Sequence, residues 1–222
     1  MKLIVLLLTM GLATSFLHAA DKTFVLPIDA ASSGYVSDLD QDGKYEKVSE
    51  GMDNAMEWRV GQYFTGPVVI VMEVALPAEL QGQTVKVQSA ALSVSANGVH
   101  GTYPEKTPET VPDCLIYTYT GKQADGKVTA EDVLDAQGNF VGREAGLLIE
   151  NQTPLKAGTR ITADITDAIQ KAVDEKAPIV GLRLQLKTLP STLNCWRWRG
   201  PAFAAKYGKQ YAPVLTLKVT AE

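Results

Sequence analysis

From residue 24 onward, short apolar or β-branched runs alternate with clusters of Gly, Pro, Asn and Asp. Phe24–Ile28 reads as an edge strand, because Pro27 has no N–H to give to a ladder. Residues 57–61 form a second candidate strand. Pro67–Leu76 is almost continuously apolar and predicts a central strand buried on both faces. In Gln88–Ala96, Ala90, Leu92 and Val94 alternate with Ser89, Ser93 and Ser95, the period of two of a half-buried strand. Asn97-Gly98 supplies turn chemistry and is expected to end it. Cys114–Thr120, Ile179–Lys187 and Val214–Val219 complete the set of clear strands.

Two stretches have a helical period. Ile165, Ala168, Ile169, Ala172 and Val173 recur at i, i+3, i+4, i+7 and i+8, which predicts a short helix near 164–175. Asp164 is the expected N-cap, Asp167 lies in the positive first turn, and Pro178 bars continuation. A single helical turn is expected at 129–136, where Thr129 and Asp132 have the spacing of an acidic capping box. The prolines at 104, 108 and 112 mark a long irregular loop, in which His100 is expected to lie near the entrance. Eight or nine short strands, one helix and no repeated βα unit predict an all-β fold, an antiparallel jelly-roll-like β-sandwich.

The first 20 residues break this pattern. Lys2 precedes an apolar run from Leu3 to Leu17, and Ala19-Ala20 stands before the polar Asp21-Lys22. A basic start, an apolar core and a small-residue exit predict a cleaved signal peptide, residues 1–20, and a secreted or periplasmic product. Removing it, with Lys2 and no acid, takes the formal charge from −4 to −5. The remaining residues, 21–222, suit one sandwich domain with no membrane span, and the mild acidity disfavours nucleic acid as a partner. In an oxidising compartment Cys114 and Cys195 are expected to form a disulfide, worth about 4 kcal/mol by chain entropy for a loop of this size. Two buried free thiols are the alternative.

Four stretches carry a family resemblance. Residues 53–61 (DNAMEWRVG), residues 69–77 (VIVMEVALP) followed by 87–94 (VQSAALSV), residues 163–169 (ADITDAI) followed by 181–186, and residues 211–217 (YAPVLTL) follow one another in a familiar order. In this the chain resembles the DNRLRE-type domains, jelly-roll-like sandwiches akin to carbohydrate-binding modules. The resemblance implies a non-catalytic module and does not name a ligand. Gly66-Pro67 replaces the family's usual Arg-Ser entry to the central strand, and the Pro-rich loop at 101–113 is an insertion.

The candidate chemistry sits in two places. Asp38, Asp40 and Asp42 alternate ahead of Gly43, and this is how short loops gather oxygens around a hard cation. The Lys44 carbonyl would take the seventh loop position, with Glu46 or Glu50 completing a calcium shell. Ser49 at the twelfth position departs from an EF-hand, and a solvated acidic hairpin is the alternative. A second echo at 124–132 has Gly121 and Gln123 where carboxylates are needed and reads as a capped turn. The other place is Asn194–Gly200, where Trp196, Arg197, Trp198 and Arg199 alternate, and Trp58-Arg59 repeats the pair. Tryptophan faces stack on sugars and guanidinium groups bind hydroxyls or uronate carboxylates, so these six residues are the candidate carbohydrate-binding set. The same alternation puts both tryptophans on one face, where they could equally be core.

Catalytic motifs are absent from the sequence: it has no GxSxG, HExxH or P-loop, and beyond the leader His100 is the one histidine. The expectation is an exported non-enzyme that binds extracellular or cell-wall polysaccharide around a structural calcium ion. The alternatives are a structural or adhesive surface protein and a small polysaccharide lyase using His100, a Tyr and an Arg. Asn151-Gln152-Thr153 is a glycosylation sequon whose meaning depends on the host.

Overall fold

In the computed structural model of the chain, the described residues are 21–49, 56–63, 66–82, 84–101, 111–151, 153–190 and 193–221. Residues 1–20, where a signal peptide is expected, Glu50 and residues 102–110 lie outside them, as does the middle residue of the sequon.

The strands are β1 (Asp21–Pro27), β2 (Ser33–Ser37), β3 (Lys47–Ser49), β4 (Glu57–Tyr63), β5 (Gly66–Ala75) and β6 (Val85–Gly101). They continue with β7 (Cys114–Tyr119), β8 (Arg143–Ile149), β9 (Arg160–Asp164), β10 (Ile179–Leu186), β11 (Asn194–Arg199) and β12 (Val214–Ala221). Among the described residues two α-helices, α1 (Thr166–Asp174) and α2 (Pro201–Tyr207), interrupt them. Every pairing is antiparallel, along the order β1-β12-β6-β11-β4-β5-β10-β7-β8, with β2 and β3 joined at β5 and β9 at β6. The fold is the expected all-β sandwich with a short helix.

The 17-residue β6 is the pivot. Its first part pairs with β12 on one edge and β9 on the other, and its last part pairs with β11. Asn97-Gly98 does not end the strand, contrary to expectation. Arg197 pairs with Gly98 and Trp198 with Ala96, so Asn97 is the extra residue of a bulge. Gly98, at φ +113°, supplies the backbone conformation that the bulge needs. The strand then runs on through His100, which pairs with Cys195; His100 is a strand residue and not a loop residue.

The inward faces close on one large core. β5 contributes Ile70, Met72 and Val74, while β10 contributes Leu182, Leu184 and Leu186. α1 packs Ile169, Ala172 and Val173 into the same core, as its period predicts. Gln170 also accepts from the Val87 N–H at 2.6 Å and donates to the Val85 carbonyl, tying the helix to β6. Ile165, not the expected Asp164, stands at the N-cap; Asp164, one residue earlier at the end of β9, accepts from the Thr166 N–H at 2.8 Å.

β5 and β10 are buried on their second face too. Val69 and Val71 join Val36, Tyr45, Tyr119, Ala124 and Val133 in a smaller outer core. Two irregular segments cover that face: the acidic loop 38–46 and a strap, residues 121–142, between β7 and β8. This double coverage explains why residues 67–76 read as continuously apolar.

The cysteines correct the expected disulfide. Both thiols are free and fully buried. Cys114 belongs to the central core. Cys195 alternates with the inward Trp196 and Trp198 and so projects to the opposite face of β11. The pleat therefore directs the two side chains apart. Burial pushes the Cys195 thiol up to about 12 and the Cys114 thiol higher still.

Candidate metal loop and arginine face

The acidic loop begins where β2 leaves β5. The Asp38 N–H donates to the Pro67 carbonyl at 3.0 Å, which anchors the loop to the central strand. Gly66, at φ +108°, permits this: a Cβ there would collide with the Asp38 backbone carbonyl. Inside the loop the Gly43 N–H donates to Asp38 Oδ2 at 2.9 Å and the Lys44 N–H to Asp42 Oδ1 at 2.9 Å. Gln41 (φ +61°) and Gly43 (φ +89°) turn the chain through the left-handed region so that the side chains converge.

One oxygen from each of Asp38, Asp40, Asp42 and Glu46 lies within 4.8 Å of the others. Four carboxylates so close repel strongly unless a cation joins them. Asp38 is 2 % exposed, and its Oδ1 has no hydrogen-bond partner. A buried carboxylate oxygen without a partner is costly, and a hard cation would satisfy it. The donor set, all oxygen, fits calcium. The other carboxylates are exposed, and the Lys44 ammonium lies 2.5 Å from Asp42. The hydrogen bond from Lys44 holds the Asp42 carboxyl below its ordinary range. The structure thus brings four of the six expected ligand residues together; Lys44 is within the same loop and Glu50 lies outside the described residues.

The tryptophans do not form a stacking surface, which corrects that part of the carbohydrate-binding expectation. Trp58, Trp196 and Trp198 are each 0 % exposed. β11 is paired on both edges, by β4 and β6, and its pleat turns Trp196 and Trp198 inward. Trp58 stands opposite Trp198 in the register and faces the same way. The Trp196 indole N–H is satisfied by the Pro112 carbonyl at 2.8 Å.

The arginines occupy the outer face. Arg197 pairs with Arg59 across β11 and β4, an arrangement of like charges that would be unfavourable alone. Glu57 bridges them, taking Arg59 Nε at 3.1 Å and Arg197 Nη2 at 2.5 Å, and Asn97 also donates to it. Burial opposes ionisation of Glu57, but the Arg197 hydrogen bond and charge, with Asn97 and Arg59, outweigh it and lower its pKa. Arg59 lies 4.0 Å from the Tyr63 ring centre, and Arg199 lies between Phe203 and Tyr211 at 4.5 and 4.2 Å. α2 therefore braces Arg199. That helix is absent from the sequence expectations, although Pro201 at its start and Gly208 after its end are its signals.

A third cluster on the outer face is also absent from those expectations. Arg183, 0 % exposed, donates to the carbonyls of Val141 (2.5 Å), Val133 (3.3 Å) and Asp132 (3.4 Å). Its guanidinium lies 4.9 Å from the Tyr117 ring centre and 5.2 Å from that of Phe140. Burial depresses its pKa to about 10. Glu73 accepts from the Tyr119 hydroxyl at 3.2 Å and from the Gly126 N–H. Gly181 makes the first bond possible, because the Tyr119 ring lies where a Cβ would be. Burial, with the nearby Asp132 charge, raises Glu73 to about 7 against the Gly126 and Tyr119 hydrogen bonds. Asp132, also buried, is raised to about 6 and receives the Thr129 N–H at 2.5 Å in the expected capping box. The sequence signal for this cluster was a lone Glu in VVIVMEVA and a lone Arg in IVGLRLQL.

No protein-family model matches the chain, and no curated protein matches it. The likeness to DNRLRE-type domains rests on its four sequence stretches. No helix among the described residues is long and apolar enough to cross a membrane.

Proposed function

We propose that this chain is an exported, non-catalytic β-sandwich module whose acidic loop holds one structural calcium ion. The observation that carries the reading is Asp38: a buried carboxylate with an unpartnered oxygen, anchored to the central strand and converging with Asp40, Asp42 and Glu46. Export is supported by the leader-like residues 1–20 and gives the loop a calcium-rich medium. The non-catalytic reading is supported by the two walled-in thiols and by the lack of motifs for nucleophilic or metal-assisted hydrolysis.

An ion bound only by the folded state raises stability by mass action, by about 2.7 kcal/mol at one hundred times its Kd. Thermal denaturation with chelator and with added calcium is the test. The midpoint is expected to rise with calcium, and the rise is expected to vanish in Asp38→Asn. An unchanged midpoint in the wild type would overturn the reading.

Polysaccharide binding remains the second reading, now without stacking tryptophans. Its support is the half-exposed Arg59 and Arg197 pair, with side chains 28 % and 29 % accessible on an otherwise acidic protein. Such a face favours glycans bearing carboxylates. A glycan array should show binding to uronate polymers that Arg59→Ala with Arg197→Ala abolishes. If the wild type bound no glycan, the scaffold or adhesive alternative would stand in its place.

A further inference from the structure

We propose that an ion in the Asp38–Glu46 loop controls how firmly the strap, residues 121–142, is held on the outer face of the sheet, with Tyr45 as the link. The inference rests on the calcium reading and adds a consequence away from the ion.

Tyr45 lies between Lys44 and the candidate ligand Glu46, so its backbone cannot shift independently of the loop. Its side chain leaves the loop inward and is 5 % exposed. There it meets Phe140 of the strap edge-on, with ring centres 5.9 Å apart. Val133, Ala124, Leu134 and Val141 of the strap belong to or pack against the same small core as Tyr45. One side chain of the acidic loop therefore sits within the packing that holds the strap.

The polar groups on this face point the same way. Asp38 Oδ1, the Tyr45 hydroxyl and Arg183 Nη2 are all buried without a hydrogen-bond partner. Arg183 is the residue that grips the strap by the carbonyls of Asp132, Val133 and Val141. The loop and the strap also face each other across a cleft of about 440 Å³, with Gly43, Lys44 and Tyr45 on one wall and Leu134 and Ala136 on the other. Without a cation, mutual repulsion of four carboxylates spreads the loop and draws Tyr45 off Phe140. With the cation, the loop is locked and the strap is clamped from both sides, by Tyr45 and by Arg183.

Hydrogen exchange of the full chain, with calcium and with chelator, tests this. Calcium is expected to slow exchange in residues 38–46 and also in residues 126–141. Where opening requires the ion to leave, the slowing is about a hundredfold at a free ion concentration near one hundred times Kd. Phe140 is 47 % exposed, so Phe140→Ala spares the central core. In that variant the protection of 38–46 should persist while the calcium effect on 126–141 shrinks. Tyr45→Phe, which keeps the ring and removes the hydroxyl, should behave as the wild type. Calcium protection confined to 38–46, or a strap response unchanged in Phe140→Ala, would overturn the coupling and leave the calcium site standing. Absence of calcium binding by titration calorimetry would sink both.

Discussion

Glu73 and Arg183 stand on neighbouring strands, face the same outer layer, and take no part in an ion pair among the described residues. Each is instead matched by neutral dipoles: the Gly126 N–H and the Tyr119 hydroxyl for one, and three strap carbonyls and the Gln185 side-chain oxygen for the other. A buried charge satisfied by dipoles alone is held less firmly than one paired with an opposite charge. For Glu73 this has a pH signature. Its pKa rises from 4.5 to about 7 on folding, chiefly through burial. The stability associated with the neutral acid is therefore fully present below pH 4.5 and is lost as pH rises through 7. The shift corresponds to about 3 kcal/mol as an upper figure. Asp132, raised to about 6, acts in the same direction. Denaturant titrations at pH 5 and pH 8 should find the wild type less stable at the higher pH. Glu73→Gln should lose much less, keeping an acceptor for Gly126 without the charge. Both proteins carry the same acidic loop, so the difference between them isolates Glu73. Equal losses would show that the carboxyl stays ionised in the fold.

At the scale of elements, the sequence is legible where one face is apolar and the other polar. The period of two in residues 88–96 and the 3.6-residue period in 165–173 both give the observed elements, because burial on one side fixes the phase. The phase at β11 is equally readable: alternation separates the tryptophans from the arginines, and pairing on both edges of the strand decides which set is inside. That second fact is long-range, so sequence alone left the tryptophans open to either use. β2 and β3 escape the reading because they are short and lack alternation; β2 exists as a strand because β5 offers it an edge, and β3 because β2 does so in turn. Asn97-Gly98 has the sequence of a turn and forms a bulge for a related reason. Turn residues satisfy a bulge equally well, and only the partner strand β11 distinguishes the two. In the acidic loop the opposite holds. Its ligands lie within nine residues, local spacing sets their convergence, and the cluster of Asp38, Asp40, Asp42 and Glu46 is the part of the site best foreseen.

At the scale of the whole molecule, the sandwich has a large central core and a second, smaller one outside it, and this layering decides the fate of the cysteines. Cys114 faces the central core, and Cys195 lies under the arginine face on the other side of its strand. Eighty residues of intervening chain would make a bridge between them strongly stabilising, by about 4 kcal/mol, if the side chains could meet. The pleat directs them apart, so the fold forgoes that contribution and relies on burial. A sandwich of this size with three tryptophans fully enclosed can do so, since such domains bury enough apolar surface to stand without covalent staples. Three measurements should then agree. The native protein should resist a thiol reagent, because both sulfurs are inaccessible and burial disfavours the thiolate. The denatured protein should release two reactive thiols without prior reduction. Dithiothreitol should leave the melting temperature where it was. An intact mass lower by two hydrogen atoms in the oxidised preparation, together with a melting temperature that falls on reduction, would show that the strands carrying Cys114 and Cys195 approach each other more closely than this fold allows.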